Sequence, residues 1–478
     1  MKNGGASLSH LPQIGRILQH EQVLSLLETN PRALVVKSLR TEMDIIRQKV
    51  LREGLVLTST EQATDLLLKS LPGAIEALQR GDLRRTINAT GVVVHTNLGR
   101  SPLSQRALDR IVDVASGYSN LEYDIQGRKR GRRMEGVKEL LRELTGAEDA
   151  LVVNNCAAAV MLALSATAMG KEAVLSRGEM IEIGGSYRVP DVMAASGVIL
   201  KEVGTTNRTH LHDYENAISD ETGLLLKVHC SNFAIKGFTK EVELEELVSL
   251  GKQHKLPVMA DLGSGLLIDF NDVDVNVLNY DRAPIIEPTV QQVVRSGVDL
   301  VAWSGDKMLG GPQAGILLGK KEWVQKAKKH PIARAVRADK LVLAGLEATL
   351  LTYLEGTDAV LKEVPAWRYM STSMEELTVR AKELLQHLEG LPRINATVTE
   401  GRSTVGGGAV PHTYIPSVRL TLEVKGARLE ELESFLRLQA LPIITLLEDE
   451  KLHFDLRTVE PSDFPHILDC LKSWGGAQ

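Results

Sequence analysis

Apolar positions along the chain change their period twice. Through the first eighty residues they recur at helical spacing, with Leu39, Met43, Ile46 and Val50 on one face and Gly54 available to end the helix. From there to about residue 365, short apolar runs alternate with helical segments. The runs are LVV at 151–153, AVLS at 173–176, LLLKVH at 224–229, PVMAD at 257–261 and DLVAWSG at 299–305. In the helical segment 134–145, Val137, Leu140, Leu141 and Leu144 fall at i, i+3, i+4 and i+7 ahead of Gly146. Such alternation predicts an α/β fold, a mostly parallel sheet with helices on both faces, whose ligands collect at the carboxyl ends of the strands. After PAWRYM at 365–370 the period shortens to two, at Val418, Leu420, Leu422 and Val424. A helix near 427–440, strands near 442–447 and 452–458 and a helix from about 463 complete a smaller α+β unit. The pattern thus predicts a helical domain over 1–80, a core over 81–365 and an α+β domain over 366–478, with LPG at 71–73 and QRGDLRRT at 79–86 as the first connection. GGG at 406–408 reads as a flexible loop.

Composition narrows the class. The 478 residues are 43% hydrophobic and 24% charged, as in a soluble globular protein of about three domains. A net charge of −5 argues against a surface that coats nucleic acid, but leaves local basic patches. One is the predicted helix 32–52, where Arg32, Lys37, Arg40, Arg47, Lys49 and Arg52 face only Glu42 and Asp44; it is a solvated face or the site of an anionic partner. Another is GRKRGRR at 127–133, where Gly127 and Gly131 favour a loop. Cys156, Cys230 and Cys470 lie far apart without a CxxC pair, so neither a structural zinc nor a disulfide framework is expected. No secretory signal is evident and the uncharged run 150–170 reads as strand and helix, so a cytoplasmic location without membrane attachment is expected.

The residues that suggest chemistry sit at strand ends. No Walker A pattern is present, and Gly263 with Gly265 lacks the third glycine of a dinucleotide fingerprint. In VAWSGDKMLGGPQAGILLG at 301–319, an apolar strand opens into a polar turn bearing Lys307, then a Gly-rich loop and another apolar strand. A lysine so delivered can form a Schiff base with an aldehyde cofactor, although a surface turn lysine has the same local pattern. Pyridoxal phosphate also requires a carboxylate at its ring nitrogen, and Asp261 opens DLGSG at a strand end. It requires phosphate donors as well, and NNCAAAV supplies an unobstructed helix start after LVV, with Ser304 able to add a hydroxyl. His95 reads as a core-edge histidine.

Eight strings in order then resemble one family, the bacterial selenocysteine synthases or L-seryl-tRNA(Sec) selenium transferases. They are INATGVVVHTNLGRSPLS at 87–104, YSNLEYD at 118–124, NNCAAAV at 154–160, EIGGSYRVPD at 182–191, VGTTNRT at 203–209, DLGSG at 261–265, WSGDKMLGGPQAG at 303–315 and HPIARAVRADK at 330–340. The resemblance implies a pyridoxal phosphate-dependent transferase of fold type I with Lys307 as the aldimine lysine. It places Asn155, Cys156 and Ala157 at the phosphate and Asp261 at the ring nitrogen. Arg100, Thr205, Thr206, Asn232, Asp306, Arg334 and Arg337 match positions lining the family's active site. The implied reaction converts L-seryl-tRNA(Sec) to L-selenocysteinyl-tRNA(Sec) through β-elimination to an aminoacrylyl intermediate and addition of selenium from selenophosphate. It also implies tRNA binding through residues 1–80 and a homo-oligomeric ring of dimers, a decamer. The chain departs from the family pattern at Cys156, where asparagine is usual, and at Phe233 and Ala234 in HCSNFAI. A pyridoxal phosphate lyase acting on a free amino acid or amino sugar acid would use the same cofactor residues, and a non-catalytic tRNA-binding scaffold could keep the fold; both remain as alternatives.

Overall fold

The computed structural model describes residues 8–184, 187–233, 235–279 and 287–476. The chain divides into two units. One ends at Ile87 and includes Leu436–Ile443; the other comprises Asn88–Phe435 and the chain from Ile444 onward.

The first unit is built on helices α1 (Glu21–Thr29), α2 (Arg32–Arg52) and α3 (Thr60–Arg80). Leu39, Ile46 and Val50 are buried and Met43 packs beside them, so the predicted face forms. They meet Ala63, Leu67, Leu71 and Ile75 of α3 in one core. The Ser59 hydroxyl caps α3 by accepting the Gln62 N–H at 3.2 Å. LPG at 71–73 is not a connection: Pro72 lies inside α3. Proline removes one helical hydrogen bond, but the buried stripe runs through it on both sides, and burial of that stripe outweighs the lost bond.

The second unit is organised by a seven-stranded sheet. Its strands are β1 (Asp149–Val153), β2 (Glu172–Ser176), β3 (Ile199–Val203), β4 (Thr222–Val228), β5 (Val258–Gly263), β6 (Leu300–Ser304) and β7 (Gly315–Gly319). They lie in the order β1-β7-β6-β5-β4-β2-β3, and only β7 runs against the rest. The reason for the reversal is chain length. Only Gly305–Ala314 separate β6 from β7, too few residues for a parallel crossover. Strands β1, β6 and β7 are buried throughout, as expected for a sheet covered on both faces. Edge strand β3 does not stand out as an apolar run because Lys201 and Glu202 interrupt it.

Beyond the core, β8 (Ile394–Ser403) pairs antiparallel with β9 (Thr413–Val424), which carries the predicted alternation at Val418, Leu420 and Leu422. Strands β10 (Ile443–Glu448) and β11 (Lys451–Asp455) continue that sheet. The triple glycine between β8 and β9 is a compact turn rather than a flexible loop. All three glycines have positive φ, and a Cβ at Gly406 or Gly407 would overlap Val92 or Val94. Val94 N–H donates to the Val405 carbonyl at 2.8 Å, pinning the turn against that segment. Among the described residues no helix is long and apolar enough to cross a membrane.

Candidate active site

Neighbouring strand ends bring the lysine and the carboxylate together. Asp261 stands near the end of β5, and Lys307 lies three residues past β6, its parallel neighbour. Both are buried, 8% and 6% exposed. Lys307 sits in a loop that is fastened repeatedly. Its carbonyl accepts the Ser101 hydroxyl at 2.7 Å and the Gly310 N–H at 3.0 Å, and the Met308 N–H donates to the Ser264 carbonyl at 3.1 Å. From the other side, the Trp367 indole N–H and the Tyr353 hydroxyl donate to the Met308 carbonyl at 2.9 and 3.2 Å. Two glycines of positive φ stand beside the amine: a Cβ at Gly408 would lie 3.4 Å from Lys307 Nζ, and one at Gly263 3.6 Å, both at ordinary contact distance. Ser231 lies beside both glycines.

Burial pushes the Asp261 carboxyl up to about 6, against the opposing pull of Lys307, the Gly263 N–H, His229 and the Cys156 thiol. Cys156 Sγ is 3.9 Å from Asp261 Oδ1, and burial together with the Asp261 charge holds the thiol well above its usual range, so it is a neutral neighbour. Cys156 opens helix α4 (Cys156–Ala168). The Asn155 side chain caps that helix by accepting the Ala158 N–H at 2.9 Å, while the N–H groups of Cys156 and Ala157 belong to the turn that has no intrahelical acceptors. The cap is set close to β7 because Gly315 has no side chain; a Cβ there would overlap the Asn155 carbonyl.

Asp306 organises the opposite side. One of its oxygens accepts the Ser304 hydroxyl at 2.7 Å and the other pairs with Arg100 Nη1 at 2.7 Å. Arg100 itself has φ 65°, an uncommon conformation for an arginine, fixed by its N–H bond to the His95 carbonyl at 2.9 Å. Ser304, expected at the phosphate, therefore directs its proton to Asp306. Asn232 donates to the Glu182 carbonyl at 3.0 Å; its Cβ lies beside Gly408, and its Oδ1 is buried with no hydrogen-bond partner among the described residues.

Other expected residues stand apart from this cluster. Thr205 and Thr206 are exposed in the turn after edge strand β3, where Thr205 closes the turn on Arg208. Arg334 and Arg337 do not share a helical face, because the helix there spans only Ile332–Ala335. The Arg337 backbone bridges to Val153 at the end of β1, while its guanidinium reaches Glu122 at 3.4 Å. Glu122 also holds Arg130 and Arg133, at 3.1 and 3.0 Å. GRKRGRR is accordingly a short hairpin, Tyr123–Asp124 against Lys129–Arg130, closed by the Gly127 N–H on Asp124, rather than an open loop. It walls a cavity of about 880 Å³ whose lining includes Arg110, Arg132, Lys340 and Glu347 and excludes Lys307. Phe233 is half-buried against the apolar core around α4; Ala234 lies outside the described residues.

Sequence reasoning missed Ser101, Tyr353, Trp367, Gly408 and the pair His229 and Glu287. All act through contacts between distant parts of the chain, and none carries a local signal.

The geometry can be set beside known proteins. Residues 86–460 match the family described as L-seryl-tRNA selenium transferase, and residues 8–47 match the one described as selenocysteine synthase N terminal. The L-seryl-tRNA(Sec) selenium transferase of Geotalea daltonii is 47% identical over 468 residues, covering 97% of this chain and 98% of that one. That of Geobacter sulfurreducens is 47% identical over 466 residues, with the same coverage, and that of Alkaliphilus metalliredigens 46% over 474 residues, 98% and 99% of the two chains. Among solved structures, a D-glucosaminate-6-phosphate ammonia-lyase superposes with a TM-score of 0.56 at 21% identity over 82% of this chain and 96% of its own, a likeness of fold.

Proposed function

The chain belongs to the L-seryl-tRNA selenium transferase family, and on that premise we propose that it converts L-seryl-tRNA(Sec) to L-selenocysteinyl-tRNA(Sec), with pyridoxal phosphate as cofactor and selenophosphate as selenium donor. The observation that carries this reading is the pairing of a buried lysine and a buried carboxylate at the ends of adjacent parallel strands. The residues present suit pyridoxal phosphate: a buried amine flanked by Gly263 and Gly408, a carboxylate for a ring nitrogen, and N–H donors at the start of α4.

When bound, the cofactor supplies an electron sink for the charge left on the seryl Cα. Lys307 would hold it through its amine and would serve as the base for the seryl Cα proton. Asp261 would face the ring nitrogen and keep it protonated. Asn155, Cys156 and Ala157 present the helix N-terminus to the phosphate, while Asp306 orients Arg100 and ties Ser304 into the same network. Arg100, with Arg334 and Arg337, receives the donor anion, since guanidinium forks match phosphate oxygens and keep their charge. Asn232, beside Gly408, offers its buried side-chain oxygen to the site, while Thr205 and Thr206 stand in the exposed turn after edge strand β3, away from Lys307 and Asp261. Residues 1–80 bind the tRNA through the exposed basic face of α2, relying on phosphate contacts and RNA shape. The active assembly is a ring of dimers, a closed symmetry of the usual kind for homo-oligomers.

The test combines purified protein, seryl-tRNA(Sec), pyridoxal phosphate and selenophosphate, beside Lys307→Ala. Product should fall by roughly 10²–10⁴-fold or more in the variant. Equal product from both proteins removes Lys307 from the mechanism, and none from the unaltered protein rejects the assignment.

A further inference from the structure

Next to the Asp261 strand lies a histidine–glutamate pair that the reaction as described does not use. His229 follows β4 directly, next to β5, and its N–H donates to the Asp261 carbonyl at 2.9 Å, so its backbone is locked to that residue. Its ring nitrogen Nε2 meets Glu287 Oε2 at 2.9 Å. The Glu287 side chain is 1% exposed, and its other oxygen is buried with no hydrogen-bond partner among the described residues. A carboxylate so enclosed is costly to keep charged unless a cation faces it.

We propose that Glu287 and His229 are positioning residues for the cofactor: the buried carboxylate fixes a charged imidazole beside the end of β5, and that cation keeps Asp261 in the ionised form that binds the ring nitrogen. The inference rests on the reading that pyridoxal phosphate binds between Lys307 and Asp261. Burial works against the charged imidazole, but the hydrogen bond and charge of Glu287 outweigh it and hold His229 above the usual histidine range, with Glu241 adding to the effect and Lys227 opposing it. Lys227 is itself taken up by Glu179 at 2.7 Å and Glu241 at 3.2 Å. Asp261 is faced by Lys307, the Cys156 thiol and His229, and the Tyr187 phenol lies near it. Since burial already lifts Asp261 to about 6, loss of one nearby cation would carry its protonation toward neutral pH.

The experiment titrates the visible absorbance of the resting, cofactor-loaded protein with pH and measures cofactor dissociation by equilibrium dialysis. Glu287→Gln and His229→Gln should each move the acid-side midpoint upward by about one unit and weaken cofactor binding about tenfold near neutrality. The double variant should move it no further, since the two act as one unit. Glu287→Asp, which keeps the charge, should stay close to the unaltered protein. Unchanged midpoints in both single glutamine variants overturn the proposal, as does a Glu287→Asp shift as large as that of Glu287→Gln, which marks packing instead of charge. An unaltered protein that shows no cofactor band rejects the underlying reading as well, and so separates the two failures.

Discussion

At the scale of residues, Asp261 makes the most direct prediction. Its carboxyl stands at about 6 in the folded chain against an ordinary 3.8, so between those values the folded state keeps a proton that the unfolded state has lost. Cofactor-free protein should therefore lose stability as pH rises from about 4 to 6, by on the order of 2–3 kcal/mol, and change little from this source above that. Asp261→Asn removes the titrating group. In thermal unfolding without cofactor, the advantage of the variant over the unaltered protein should grow through this window and then level off; a constant difference would show that burial of the charge is not the cause. Lys307 and Asp261 were legible in the sequence because a lysine and an aspartate at the ends of apolar strands are chemically distinctive. Gly408 was not, since its nearness to Lys307 Nζ depends on a turn about one hundred residues further along the chain. Glu287 was equally hidden, because only the fold brings it to His229.

At the scale of elements, periodicity located the buried strands and failed where polarity and burial diverge. β3 escaped notice because an edge strand can carry Lys201 and Glu202 at little cost, and β8 because its sequence INATVTEGRS is mostly polar. Pro72 misled in the opposite sense, as a breaker residue that tertiary packing overrides. Its position is exposed within α3, so Pro72→Ala restores a backbone donor without disturbing the buried stripe. That substitution should stabilise the helical unit by roughly 1–3 kcal/mol, seen as a higher urea midpoint with an unchanged slope. A lower midpoint would mean that the proline itself is needed for packing against α2.

At the scale of the whole molecule, charge is distributed unevenly. Helix α2 carries six basic and two acidic residues in a chain of net charge −5, so the remainder carries −9. Lys37 and Arg40 are exposed on that helix, and replacing both with alanine should weaken seryl-tRNA binding and flatten its dependence on salt by about two in the logarithmic slope. Unchanged affinity and slope in a filter-binding titration would move the RNA contact elsewhere. Composition alone showed that only part of the surface could attract RNA, whereas the closing of GRKRGRR into a hairpin around Glu122 needed the fold. The clamp beneath Lys307 has a kinetic corollary. With Ser101 holding the main chain of Lys307, and Ser264, Tyr353 and Trp367 that of Met308 next to it, the amine travels by rotation about the carbon–carbon bonds of its own stem. Its shuttling is then a swing of an arm on a stationary mount, rapid beside any rearrangement of the scaffold.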